Sequence, residues 1–218
     1  MALKLDHILH DIKANQTNQR LKFREQMRLE REKLVIQTVN ELLSTRGFDA
    51  MTVDEVADQV GIAKASLYRH FSGKEALAVA ALLSVMKDVL ELAEAIDGSV
   101  DTALEKLQLV IMWALQKKAE HQMPNLPSTN SVLRDQLLAN REYINGLVKL
   151  SDRLGGWIES AQQEGVLSQT FPSIVILYGL YARACDPVLD FLLSSGAFTR
   201  EEAIGWVMKS FFEGALSR

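Results

Sequence analysis

Cysteine is nearly absent. Cys185 is the only one in 218 residues, which excludes an intramolecular disulfide framework and a cysteine-rich zinc site. Four prolines and 12 glycines are too few for a loop-rich all-β protein. No run of 18 or more apolar residues occurs. Even 174–193 is interrupted by Arg183, Asp186, Pro187 and Asp190, so no membrane partner is expected. The four histidines, His7, His10, His70 and His121, are scattered; only the first two share an i, i+3 spacing, and no third ligand accompanies them. Neither a metal nor a cofactor is therefore expected. A glycine-rich phosphate loop is missing, and no histidine stands near Cys185 in sequence to activate it. No catalytic residue is predicted, and the chain reads as a non-enzyme. No uninterrupted apolar segment follows Met1, so a signal peptide is not expected and the cytoplasm is the expected location. An excess of positive charge is also lacking. Twenty-four Lys and Arg stand against 28 Asp and Glu, a net charge of −4, which taken alone argues against a nucleic-acid partner.

What is present is helical periodicity. Hydrophobic residues make up 48% of the chain and charged residues 24%, enough for a buried core. Leu34, Val35, Thr38, Val39, Leu42 and Leu43 repeat as one buried helix stripe, and Gly47 ends it. Further helices are expected at about 53–60, 64–71, 74–96, 101–120, 131–139, 141–164, 173–194 and 200–215. The fold class is all-α. Thr52 with Glu55, Ser72 with Glu75, and Thr199 with Glu202 have capping-box spacing. Residues 1–20 read either as a short amphipathic helix or arm on a mobile linker, or as a disordered tail. Pro187 inside a helical pattern is expected to kink its helix, with Asp186 able to pair with Arg183.

The stretch from Thr52 to Lys74 encodes two short helices joined by a tight turn. Val53, Val56, Ala57 and Val60 supply the inner face of the first helix. Gly61 provides the positive φ of the turn, Ile62 plugs the corner, and Leu67 and Phe71 anchor the second helix. This is a helix-turn-helix pattern, in which the second helix enters the DNA major groove. Its outward residues are Lys64, Ala65, Ser66, Tyr68, Arg69 and His70. Lysine and arginine donate to guanine O6 and N7, and alanine touches a thymine methyl. Ser66, Tyr68, His70 and Lys74 are donors suited to phosphate oxygens.

Residues 34–77 resemble the DNA-binding domain of the TetR (tetracycline repressor) family of bacterial regulators. The resemblance rests on the helix Leu34 to Arg46 with Gly47 and Phe48, then Thr52, Ile62-Ala63-Lys64, Leu67-Tyr68, His70-Phe71, and Lys74-Glu75 with Leu77. It implies that Thr52, Tyr68, His70 and Lys74 hold phosphates while Lys64, Ala65 and Tyr68 approach bases. Ala63 departs from the pattern: Ser or Thr is common there, and alanine cannot cap the recognition helix. The resemblance covers strongly only about a fifth of the chain.

By that resemblance the chain divides into an N-terminal extension or arm (1–24), a three-helix helix-turn-helix domain (25–73), and a helical domain for effector binding and dimerisation (74–218). It implies a ligand-responsive regulator, by family habit a repressor. Such a regulator binds a roughly palindromic double-stranded DNA operator as a homodimer and is released by a small molecule. For the dimer interface the apolar candidates are Ile174, Leu177, Leu189, Leu192, Trp206, Val207 and Phe211. For a mixed ligand pocket the aromatic, Met and polar candidates are Met112, Trp113, Gln116, His121, Met123, Tyr143, Trp157, Phe171, Tyr178 and Tyr181. Two other readings stay open. One is an all-α ligand-binding protein or enzyme without sequence-specific DNA binding; the other is a helical protein that binds a partner chain through 173–215.

The charge balance reads differently by region. Residues 1–75 sum to +1 and residues 76–218 to −5. Arg20, Lys22, Arg24, Arg28 and Arg31 flank the start of the first helix, and an arm carrying Arg20, Lys22 and Arg24 can reach an adjacent minor groove.

Overall fold

The computed structural model describes residues 25–124, 132–185 and 187–215. The expectations for the arm, Arg24 included, and for Asp186 lie outside these residues. Residues 25–45 form the first helix, α1. The short α2 (Gly47–Ala50), α3 (Val53–Val60) and α4 (Lys64–Tyr68) follow. The long α5 (Lys74–Asp97) leads into α6 (Ala103–Ala119), α7 (Val132–Ala139) and α8 (Arg141–Gln163). The last three are α9 (Ser173–Ala184), α10 (Val188–Ser194) and α11 (Arg200–Ala215). Among the described residues there is no strand, and no helix is long and apolar enough to cross a membrane.

Two apolar cores organise the chain. The first joins Val35, Val39, Leu42 and Leu43 of α1 to Val56 and Ala57 of α3, Leu67 of α4, and Leu77, Ala78, Ala81 and Leu82 of α5. Leu133 and Leu137 of α7 also enter it. The packing of the N-terminal helices, the head, thus continues onto the first half of α5 and onto Leu133 and Leu137 of α7, while the second core forms the body. The second core lies between the rest of α5 and α6, α8, α9, α10 and α11. Helix α8 is central, packing on α5, α6 and α9. Its Gly146 permits the close crossing on α5, because a Cβ there would come within 2.6 Å of Met86 Cγ.

Local signals explain most element ends. Gly47 and Gly61 adopt positive φ, 77° and 70°. At Gly61 the turn closes with Ile62 N–H donating to Ala57 O (3.0 Å) and Gly61 N–H to Asp58 O (3.2 Å), a Schellman pattern. His121 does the same for α6 at φ 56°, with Gln122 N–H donating to Lys117 O. Thr52 and Thr199 cap as their spacing predicts; the hydroxyls accept from Glu55 and Glu202 N–H, both at 3.2 Å. Thr102 caps α6 in the same way, at 3.4 Å from Glu105 N–H, although its spacing with Glu105 is equally legible in the sequence.

Four expectations need correction. Ser72 does not cap α5: Gly73 takes the N-cap position with extended backbone and supplies no side chain. Leu34 is 46% exposed and lies off the buried stripe of α1. The second helix of the helix-turn-helix is shorter than 64–71, ending at Tyr68 with Arg69 and His70 in a turn. Pro187 separates α9 from α10 rather than kinking one helix, because it has no N–H to continue the ladder.

Candidate nucleic-acid interface

Helix α4 is held from behind and left open in front. Leu67 is buried at 2% exposure in the first core, and Ile62 and Phe71 pack beside it. Leu67 faces the core, while Lys64, Ala65, Tyr68 and Arg69 are exposed, as is His70 just beyond. Ser66 is half-buried and accepts from the Arg69 guanidinium at 3.0 Å. Tyr68 is 48% exposed. At the start of α4, Ala63 has the extended backbone of an N-cap (φ −65°, ψ 135°) but offers no side-chain acceptor. The helix opens instead with a tight Ser66 N–H to Ala63 O bond of 2.7 Å.

The charges on this face have partners. Lys64 Nζ lies 2.6 Å from Asp54 Oδ1 at the start of α3 and 6.0 Å from the centre of the Tyr68 ring. The hydrogen bond that Lys64 donates to the Asp54 carboxylate holds its ammonium above its ordinary pKa, so the side chain stays cationic. Arg28 forks onto Glu25, with contacts of 2.7 and 3.1 Å, and reaches Glu32 at 3.2 Å. That fork lowers the Glu25 pKa. These are exposed pairs that salt screens. Lys74 differs. Its Nζ donates to Asp49 O at 2.9 Å and sits 4.5 Å from the centre of the Phe48 ring, so it ties α5 to α2 while keeping donors to spare. Thr52 is exposed, its hydroxyl engaged as the α3 cap. Arg46 pairs with Glu55, joining the end of α1 to the start of α3. Sequence spacing does not show the Asp54 and Arg46 pairings, because both depend on how helices cross.

The other predicted groups separate. Leu177, Leu189 and Val207 are buried inside the subunit core, at 6%, 0% and 2% exposure, so they are not surface residues as expected of a seam. Leu192 and Phe211 are half-buried against the same core. Ile174 and Trp206 are exposed at 50% and 53%, with Val175 and Tyr178 beside Ile174 on α9. A groove of about 380 Å³ runs between α9 and α11, with Phe171, Val175 and Gly179 facing Phe211 and Gly214.

The ligand-pocket candidates do not converge on one chamber. Met112, Gln116, His121, Phe171 and Tyr178 are exposed. Trp113 and Met123 are half-buried, with the Lys117 ammonium 5.9 Å from the centre of the Trp113 ring. Tyr143 packs against the first core. Trp157 is buried and donates its indole N–H to Asp97 at 2.9 Å, where Lys106 and Arg153 also pair. Tyr181 shares a 2.8 Å hydrogen bond with Ser151, and burial raises both tyrosine pKa values. Among the described residues, no cluster of His, Cys, Asp and Glu is placed to hold a metal ion.

Comparison with known proteins follows this division. Residues 36–81 match the model for bacterial regulatory proteins of the tetR family. YdeS of Bacillus subtilis, an uncharacterized HTH-type transcriptional regulator, is 36% identical over 58 residues, covering 27% of this chain and 29% of that protein. The chain thus spans under a third of that relative's length. The fatty acid metabolism regulator protein of Bacillus subtilis is 28% identical over 150 residues, 68% of this chain and 72% of the relative. Among solved structures, the transcriptional regulator FadR from Bacillus subtilis, in complex with stearoyl-CoA, superposes with a TM-score of 0.64 at 19% identity, over 84% of this chain and 98% of that one. That likeness shows the fold.

Proposed function

From the premise that the chain is a transcriptional regulator of the TetR family, with that family's DNA-binding domain at residues 36–81, we propose that it is a ligand-responsive repressor acting as a homodimer in the cytoplasm. One observation carries this reading: Lys64, Ala65, Tyr68 and His70 stand exposed together on and just beyond a helix whose opposite side is locked by Leu67. Such a helix presents base-edge and phosphate donors to a major groove. Two copies related by a two-fold axis read a roughly palindromic operator. The exposed Ile174, Val175 and Tyr178 of α9 and the groove against α11 form an apolar face suited to a second copy. The effector acts on the body and shifts the population of head spacings away from the one that fits DNA. The relative with bound stearoyl-CoA makes long-chain acyl-CoA the first effector class to test.

The test is a mobility-shift titration with the DNA upstream of the protein's own gene, run at several salt concentrations. Replacing Lys64 and Tyr68 together with alanine leaves the dimer intact and weakens specific binding roughly a hundredfold, since each contact to a base or phosphate is worth about 1–3 kcal/mol. Unchanged affinity in that double variant overturns the assignment of α4. Absence of any sequence-specific binding favours the alternative of an all-α ligand-binding protein or enzyme.

A further inference from the structure

Two helices carry side chains to both cores. Leu77, Ala78, Ala81 and Leu82 of α5 belong to the first, and Val89, Ala93 and Ile96 to the second. Tyr143 of α8 packs against the first, while Leu150, Leu154 and Ile158 lie in the second. Between those positions both cores let go. No residue of α5 from 83 to 88 is buried, and Gly146 is the only buried residue of α8 between Tyr143 and Leu150. The two changeovers touch. A Cβ on Gly146 would stand 2.6 Å from Met86 Cγ, 3.2 Å from its Sδ and 3.7 Å from Leu90 Cδ1.

The other side of α5 is open at the same level. A cleft of about 510 Å³ is lined there by Ser84 and Asp88 of α5, by Asn40 and Glu41 of α1, and by Glu120 and His121 at the end of α6. Ser84 and Asp88 each stand two residues from Met86, about 200° around the helix. The cleft and the α8 contact therefore flank α5 from opposite sides. The contact itself is smooth. Glycine has no side chain to interdigitate, and methionine is unbranched and adaptable. Packed helices of this kind shift past one another by small slides. Glycine is also the poorer helix former, yet alanine fits at 146 only if α5 or Met86 gives way.

We infer that the crossing of Met86 and Gly146 is the fulcrum on which the head tilts against the body, and that the cleft is the space it tilts into. Both are positioning residues: they act through α5, whose first half is packed into the head, and so set where α4 stands. The inference rests on the reading of the chain as a repressor released by an effector. On that reading the protein without effector is the form that fits the operator, so a wedge at the crossing weakens operator binding. Binding to arbitrary DNA, which draws on the charge of each head rather than on its placement, is left alone.

The experiment titrates the full-length protein, by fluorescence anisotropy, against the duplex upstream of its own gene and against a shuffled duplex of the same length, with folding checked by circular dichroism. Gly146→Ala is expected to weaken binding to the upstream duplex at least tenfold and to leave binding to the shuffled duplex within twofold of wild type. Adding Met86→Ala removes the facing side chain and returns the upstream affinity to within threefold of wild type. Wild-type affinity for the upstream duplex in a folded Gly146→Ala variant overturns the inference. So does an equal loss on both duplexes, which places the damage in the head itself, or a double variant that stays weak, which places it away from Met86. Should Gly146→Ala fail to fold, Met86→Phe wedges the crossing from the α5 side and is judged by the same tenfold and twofold limits. A wild-type protein that does not prefer the upstream duplex overturns the repressor reading and the inference with it, so the wild-type titration tells the two failures apart.

Discussion

The head and the body begin their helices differently. In the body, Thr102, Asn140 and Thr199 each accept a backbone N–H and fix the first turn of α6, α8 and α11. In the head, α3 has such a cap in Thr52, but α2, α4 and α5 start at Arg46, Ala63 and Gly73 with none. The last two of these starts lie on either side of the recognition segment. In the body α6, α8 and α11 carry their own side-chain caps and α9 and α10 open at Pro172 and Pro187 without one, whereas α4, five residues long and uncapped, depends on the contact of Leu67 with the core behind it. The lesson is that α4 is ordered by tertiary packing rather than by its own ends.

Truncating the anchors tests this most severely. Leu67→Ala and Leu189→Ala each empty a fully buried site and are expected to cost about 3 kcal/mol, within the range for buried leucines. Their consequences differ: Leu67→Ala abolishes operator binding and leaves the body's hydrogen-exchange protection intact, while Leu189→Ala lowers protection in the body. A Leu67→Ala variant that keeps both stability and DNA binding breaks the comparison. Smaller effects of opposite sign are expected at the two sides of the turn before α4. Gly61→Ala forces a side chain into φ 70° and costs about 1–2 kcal/mol. Ala63→Ser supplies the missing cap to a backbone already in N-cap geometry and gains about 1 kcal/mol in denaturant titration, with tighter operator binding. If Ala63→Ser gains nothing, the uncapped start is not what limits α4. The smallest effect on stability is expected from Asp54→Asn, which releases Lys64 on the surface. Its unfolding midpoint stays put, while the salt slope of DNA binding steepens by about one unit as one more free cation meets phosphate. An unchanged slope means that Lys64 does not reach DNA.

Much of the head was legible because its signals are local. Gly47 and Gly61 mark turns by the φ they alone adopt easily, Thr52 with Glu55 marks a start, and the inward stripe of α3 follows helical spacing. The same logic failed at Ser72, where Gly73 offered a competing start one residue later. In the body, helix positions were legible but facing directions were not. Apolar residues all round α9 and α11 do not reveal that Leu177 and Val207 turn inward while Ile174 and Trp206 turn out. Nor does the list of aromatic residues reveal that Trp157 is engaged by Asp97 and Tyr181 by Ser151, since both partners arrive from distant positions in the chain. Asn40 did leave a trace, a polar side chain beside Val39 and before Leu42 in an otherwise apolar stripe, but only the packed structure shows that its oxygen has no partner.

The pairing of Lys64 with Asp54 bears on how fast a regulator finds its site. A cation already matched to a carboxylate adds little to the pull of arbitrary DNA, because each phosphate contact is an exchange of one negative partner for another. On the proposed reading of α4, a correct base edge that accepts from Lys64 would tip that exchange. Dwell times on wrong sequences would then be short while the residence time on the right one was preserved, and the carboxylate would act on kinetic selectivity without touching the DNA itself.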